Sequence, residues 1–136
     1  MPPEARRGAR IAHLGIAVHA LDDMLPFYRD VLGLPLVPIG DADGARIAGL
    51  DAGGTLIELL EPRTAGSPID RFVKKRGPGI HHICFAVQDL ELALERCRDA
   101  GYPLIDQVPR TGAEGKRIAF LHPTATGGVL IELTEG

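Results

Sequence analysis

With 136 residues, 45% of them hydrophobic, the chain has material for one ordinary domain and no room for an accessory one. Its 15 Lys+Arg against 18 Asp+Glu, a formal net charge of -3, offer no broad basic surface, so no nucleic-acid partner is expected. No run approaches the ~18 apolar residues of a membrane span, and the polar, arginine-bearing N-terminal stretch lacks the apolar core of a secretory signal. A soluble cytoplasmic protein without a membrane partner is expected, and Cys84 and Cys97, lacking Cys-x-x-Cys spacing, fit reduced thiols.

Residues 1–10 mix Pro, Arg, Gly and Ala without periodicity and are expected to form a flexible tail, followed by a single domain over 11–136. Ile11 to Val18 alternates as a strand, with Leu14, Ile16 and Val18 on one face and His13, Gly15 and Ala17 on the other. Large side chains belong against a helix and small ones leave a hollow, so the His13 face is expected to line a cavity. A helix follows, capped by Asp22 or Asp23, with Pro26 early, an apolar stripe of Leu25, Phe27, Tyr28, Val31 and Leu32, and Gly33 at its end. Residues 35–39, 45–50 and 55–60 read as three short strands joined by Asp-Ala-Asp-Gly and Asp-Ala-Gly-Gly turns, which makes module one, residues 11–61, a βαβββ unit.

The linker, residues 62–79, carries Ser67-Pro68-Ile69-Asp70, a helix-start signature with a cap, a proline at the first helical position and an acid at the third, predicting a short helix to about Lys75. Lys74-Lys75-Arg76 reads as its solvated end. Module two, residues 80–136, repeats the plan: a strand over 80–87, a helix over 89–100 stopped by Gly101, and strands near 104–107, 117–121 and 129–134. Here His82, Cys84 and Ala86 share the cavity face, while Ile83, Phe85 and Val87 are expected to pack on the helix. His81 is expected to point to the opposite face or the strand edge. Gly112-Ala113-Glu114-Gly115-Lys116 reads as a mobile rim loop.

The repetition is what gives these residues chemical meaning. Aligning His82 with His13 at an offset of 69 also pairs Val87 with Val18, Leu94 with Leu25, Arg98 with Arg29 and Asp99 with Asp30. Each module closes on a similar strand, Leu56-Ile57-Glu58-Leu59 in the first and Leu130-Ile131-Glu132-Leu133 in the second. Glu58 and Glu132 each interrupt an apolar strand, and an ionised carboxylate there needs a salt bridge or a metal. If the modules pack about a pseudo-twofold, His13, Glu58, His82 and Glu132 converge as two imidazoles and two carboxylates around one divalent ion, cobalt, zinc, nickel or manganese.

These features resemble the vicinal oxygen chelate superfamily, and within it the methylmalonyl-CoA epimerase family, over about Ile11 to Glu135. The most specific pieces are His13-Leu14-Gly15-Ile16-Ala17-Val18, His81-His82-Ile83, Phe120-Leu121-His122-Pro123 and Gly127-Gly128-Val129-Leu130-Ile131-Glu132-Leu133. The resemblance implies an α+β fold of two tandem βαβββ modules around a metal-binding cavity. It implies an isomerase that interconverts the (R) and (S) epimers of methylmalonyl-CoA by α-proton abstraction through an enolate. By the same likeness one divalent ion per chain, cobalt foremost, sits on His13, Glu58, His82 and Glu132; Glu132 moves the substrate proton, the partner is an acyl-CoA, and the assembly is a homodimer. Some epimerases of the family carry a further catalytic glutamate in the strand before Glu58, but here Ala45-Arg46-Ile47-Ala48-Gly49-Leu50 holds no acid, which leaves Glu58 as the candidate second proton carrier. The alternatives are a glyoxalase I-type lactoylglutathione lyase, which would use the same donors, and a metal-free small-molecule-binding resistance protein of the same fold, which would have no use for them.

Overall fold

The structure is a computed structural model and describes residues 8–136. Of the expected tail, residues 1–7 lie outside the described residues, and Arg10 already belongs to the first strand.

The elements run β1 (Arg10–Ala17), α1 (Leu21–Leu25), a π-helical turn (Pro26–Val31), β2 (Leu36–Val37), β3 (Ala45–Ala52) and β4 (Thr55–Pro62). The linker forms α2 (Pro68–Arg76), and the second module follows as β5 (Gly79–Val87), α3 (Leu90–Asp99), β6 (Arg110–Thr111), β7 (Arg117–Leu121), a 3-10 turn (Pro123–Ala125) and β8 (Ile131–Glu135). The tandem βαβββ plan is therefore present. The eight strands make one sheet in the order β2-β3-β4-β1-β5-β8-β7-β6, which reads the same outward from its centre in both modules. β1 and β5 meet antiparallel at that centre, and each pairs in parallel with the last strand of its own module, β4 or β8.

Each module buries its helix on the outer face of the sheet. In the first, Val18, Leu21, Leu50 and Leu59 form the core, with Ile16, Leu25 and Tyr28 packed on it. In the second, Leu90, Leu94, Ala119, Leu121 and Leu133 do so, with Phe85 and Val87 as expected. On the inner face α2 covers one end: Ile69 packs with Ala17, Ala45 and Leu60. Ala17, expected to line a hollow, is roofed by this linker helix. The predicted start of α2 is as built, with Ser67 Oγ accepting from the Asp70 N–H at 3.3 Å.

Three local expectations are corrected. Asp22 and Asp23 do not cap α1; Ala20 holds the cap position, and the Leu21 N–H donates instead to Glu61 Oε1 at 2.8 Å. The helix does not continue as α after Leu25. Leu32 N–H bonds to the Phe27 carbonyl at 2.9 Å, a five-residue step that widens the turn and changes the phase of the side chains. Leu25 and Tyr28 stay on the core, while Phe27, Val31 and Leu32 of the expected stripe are exposed. Residues 104–107 form no strand: Leu104 makes a single bridge to Leu121, and the short strand beside β7 lies later, at Arg110–Thr111.

Candidate active site

The centre of the sheet is built from two small residues. Gly15 on β1 lies opposite His82 on β5 and beside Glu58 on β4. Cys84 on β5, its counterpart, lies opposite His13 on β1 and beside Glu132 on β8. Each small residue thus has a histidine on one neighbouring strand and a glutamate on the other, and the pseudo-twofold brings both pairs to the same inner face. The register of β1 and β5 shifts between Ile11 and His13 and between Gly15 and Ile16, leaving Ala12 and His81 without direct partners. Each bulged residue immediately precedes a cavity histidine, and a bulge re-aims neighbouring side chains. His81 accordingly lines the cavity and does not point to the opposite face as expected. Its Nδ1 lies 2.9 Å from Nδ1 of His82. A His82 that carries its hydrogen on Nδ1 and donates to His81 presents the Nε2 lone pair to the cavity.

His13, Glu58, His82 and Glu132 are all buried, each 3 to 6% exposed, at the floor of a cavity of about 620 Å³. Three of them share one point: His13 Nε2 and His82 Nε2 are 3.0 Å apart, and Glu132 Oε1 is 2.9 and 3.1 Å from them. Glu58 approaches the other nitrogen of the same ring, its Oε2 3.3 Å from His13 Nδ1. Glu114, assigned only to a rim loop by the sequence, joins it there, with Oε2 3.2 Å from His13 Nδ1. The four residues singled out in the sequence are therefore gathered, but as two triads hinged on His13, and the second triad includes a residue that sequence reasoning missed.

The donor set fits a divalent metal. His13 Nδ1, Glu58 Oε2 and Glu132 Oε1 are buried, and despite their short separations none makes a hydrogen bond of good geometry. Unpartnered buried polar atoms are costly, by ~1–3 kcal/mol each, and their clustering at one spot marks a place built for another occupant. Spacings near 3 Å between two imidazole nitrogens and a carboxylate oxygen suit neighbouring ligands on an ion bound at ~2.0–2.2 Å.

Without an ion the cluster behaves as a strongly coupled charge network. Burial opposes a proton on His13, but contacts with Cys84, Glu114 and Glu132 and the charge of Glu58 outweigh it and push His13 up to about 12. Burial likewise opposes ionisation of Glu132, yet His13 and His82 hold it down to about 2. Glu58 is raised, by burial first and by Glu114 second, whereas contact with His13 lowers Glu114. His81 is pushed down to about 4 by burial and then by His82, which keeps it neutral as an acceptor.

Above the floor, the cavity is lined by cations at its rim, Arg71, Arg110 and Lys116. Arg110 on β6 reaches across to Asp43 of the first module at 3.2 Å and stacks over Phe120.

A metal-ready His/Glu floor under a sheet of two tandem modules defines a protein of the vicinal oxygen chelate type, and known proteins agree. The model of the Glyoxalase/Bleomycin resistance protein/Dioxygenase superfamily matches residues 10–133, and the chain belongs to that superfamily. It is 43% identical over 128 residues to the uncharacterized protein YqjC of Bacillus subtilis, covering 93% of this chain and 91% of that one. It is 38% identical over 130 residues to an ethylmalonyl-CoA/methylmalonyl-CoA epimerase of Cereibacter sphaeroides, covering 93% and 97%. A variant of the Streptomyces coelicolor methylmalonyl-CoA epimerase, solved with 2-nitronate-propionyl-CoA, superposes with a TM-score of 0.87 at 37% identity over 93% of this chain and 94% of that one.

Proposed function

We propose that this chain is an isomerase that interconverts the (R) and (S) epimers of methylmalonyl-CoA through an enolate. The observation that carries the reading is the cavity floor, where carboxylates and imidazoles from both modules face a space of about 620 Å³, in a chain alike over nearly its full length to epimerases of this substrate. A nitronate is a planar delocalised anion with the shape and charge of an enolate, so the neighbour's ligand is what such a floor would hold. The cations Arg71 and Lys116 at the rim give an otherwise acidic protein a local attraction for an anionic acyl-CoA.

His13, His82 and Glu132 would hold one divalent ion per chain, with Glu58 as the fourth ligand; cobalt is our assignment, and zinc, nickel and manganese suit the same donors. Bound there, the ion would supply Lewis-acid stabilisation of charge developing on substrate oxygens, worth several kcal/mol. The protein's own groups do the rest. His81 orients His82, Phe120 packs edge-on against the same ring at 5.6 Å, and Glu132 takes and returns the α-proton on one face. The reading extends to a cytoplasmic homodimer; Cys84 and Cys97, neither in a disulfide, suit that compartment.

The test is incubation of a single epimer of methylmalonyl-CoA in deuterated buffer, followed by mass spectrometry and epimer analysis. Wild type should label the α-carbon as it epimerises, and Glu132→Gln, whose amide accepts no proton, should slow epimerisation by ~10²–10⁴ while keeping its metal. A wild type that leaves methylmalonyl-CoA untouched but converts a glutathione hemithioacetal would replace this reading with the lyase.

A further inference from the structure

Inversion at carbon needs a second proton carrier on the face opposite Glu132, and among the described residues the cavity holds three other carboxylates: Asp43, Glu58 and Glu114. Asp43 is held by Arg110 through both oxygens, at 3.2 and 3.3 Å. Glu58, on the middle of β4 with Oε2 3.3 Å from His13 Nδ1, is already committed as the fourth metal ligand. Glu114 differs from both. Its side chain is 24% exposed, so it borders the open cavity and water, yet its Oε2 reaches 3.2 Å from His13 Nδ1.

The loop is built to aim it. Gly112 N–H bonds to the Lys116 carbonyl at 2.8 Å and Gly115 N–H to the Gly112 carbonyl at 3.1 Å, closing a tight hairpin between β6 and β7. Gly115 sits at φ +73, and a Cβ on Gly112 would stand 2.9 Å from Ile118, so glycines frame Glu114 where the turn needs them. The result places Glu132 against Nε2 of His13 and Glu114 against Nδ1 of the same ring, two carboxylates on two sides of one imidazole.

We infer that Glu114, carried by the β6–β7 hairpin over His13, is the second acid–base residue of the epimerisation, working on the substrate face opposite Glu132. The inference rests on the epimerase reading. For one epimer the Glu132 carboxylate takes the α-proton as the C–H electron pair enters the enolate, and a protonated Glu114 returns a proton to the other face as that pair re-forms a C–H bond. Glu132 ends protonated and Glu114 ionised, the state that processes the opposite epimer, and exchange with water resets either group. No oxidant or further reactant is needed.

The experiment is α-hydrogen exchange in deuterated buffer, begun separately from each pure epimer, with elemental analysis of metal and a thermal melt on every variant. Wild type should label and interconvert both. Glu114→Gln should retain metal and fold, lose epimerisation by ~10²–10⁴, and still label one epimer in place while leaving the other unlabelled; Glu132→Gln should show the mirror pattern. A merely structural role for Glu114 would depress both epimers alike, and that result overturns the proposal. So do epimerisation at the wild-type rate, loss of metal from Glu114→Gln, or the one-sided pattern appearing in Glu58→Gln instead. If wild type labels neither epimer, the epimerase reading falls and takes this assignment with it, a result distinct from any failure confined to the variant.

Discussion

Gly15 stands directly opposite His82 across the central strand pair, and a Cβ at position 15 would lie 2.2 Å from Cε1 of that imidazole. The absence of a side chain is therefore what lets His82 lie over β1 and reach His13. Gly15 has no positive φ, so alanine there meets no backbone penalty, only the ring. Gly15→Ala should cost ~1–3 kcal/mol of stability, as overpacking does, and displace His82 from the metal-ready point. Elemental analysis after reconstitution should show a clear drop in bound metal; wild-type occupancy would contradict this account of Gly15.

His13 and His82 face the cavity and contribute to neither helix-packed core. Replacing either by Ala should leave a cooperatively folding protein that no longer responds to metal. Wild type should gain ~2.7 kcal/mol when the ion is supplied at a hundred times its dissociation constant, and the variants essentially nothing. Thermal melts with and without added cobalt or zinc make the comparison, and a variant still stabilised like wild type would remove that histidine from the site.

The metal-free protein should lose stability as pH rises above neutrality. In the folded state His13 is raised from 6.5 to about 12, so its contribution is complete below pH 6.5 and is lost as pH climbs towards 12. Across that window the native state holds a proton that the unfolded chain has released, and the slope is downward, by up to ~1.4 kcal/mol per pH unit for one group. Glu58, raised to about 8, adds to the same slope up to that pH, while Glu132, held down to about 2, adds none above pH 7. Urea denaturation with chelator at pH 7, 8 and 9 should show the decline in wild type and a shallower one in His13→Ala. A flat wild-type profile would contradict the charge network described for the empty floor.

Each module also ties its last strand to its own helix. Glu61 Oε1 accepts from Leu21 N–H at 2.8 Å, and Glu135 Oε2 from Leu90 N–H at 3.0 Å, so a carboxylate sits at the start of both α1 and α3. α1 has no other side-chain cap, whereas Asp89 also caps α3 by accepting from Leu92 N–H at 3.0 Å. Glu61→Ala should therefore cost ~0.5–2 kcal/mol in urea denaturation, Glu135→Ala less, with metal content unchanged in both. Equal losses would mean that the Asp89 cap contributes nothing.

The amino-acid sequence by itself determined the duplication, the alternation that turns His13, Gly15, His82 and Cys84 to one face, and the apolar strands interrupted by Glu58 and Glu132. Those are properties of residue type and spacing, and period-two alternation survives wherever a strand is regular. What only the tertiary structure decided lies where regularity fails or where distant segments meet. The bulge at His81 breaks the alternation and brings a histidine expected on the far face against His82, and no local pattern announces a register shift set by pairing with another strand. The π-helical turn after Pro26 re-phases a stripe that reads as ordinary helix. Glu114 looked like one acid in a glycine-rich loop; its place beside His13, 101 positions away in the chain, comes from the hairpin folding over a floor to which both modules contribute. The division of the four expected donors into two triads has the same origin, because which nitrogen of His13 meets which carboxylate depends on a side-chain angle that packing sets and sequence spacing does not.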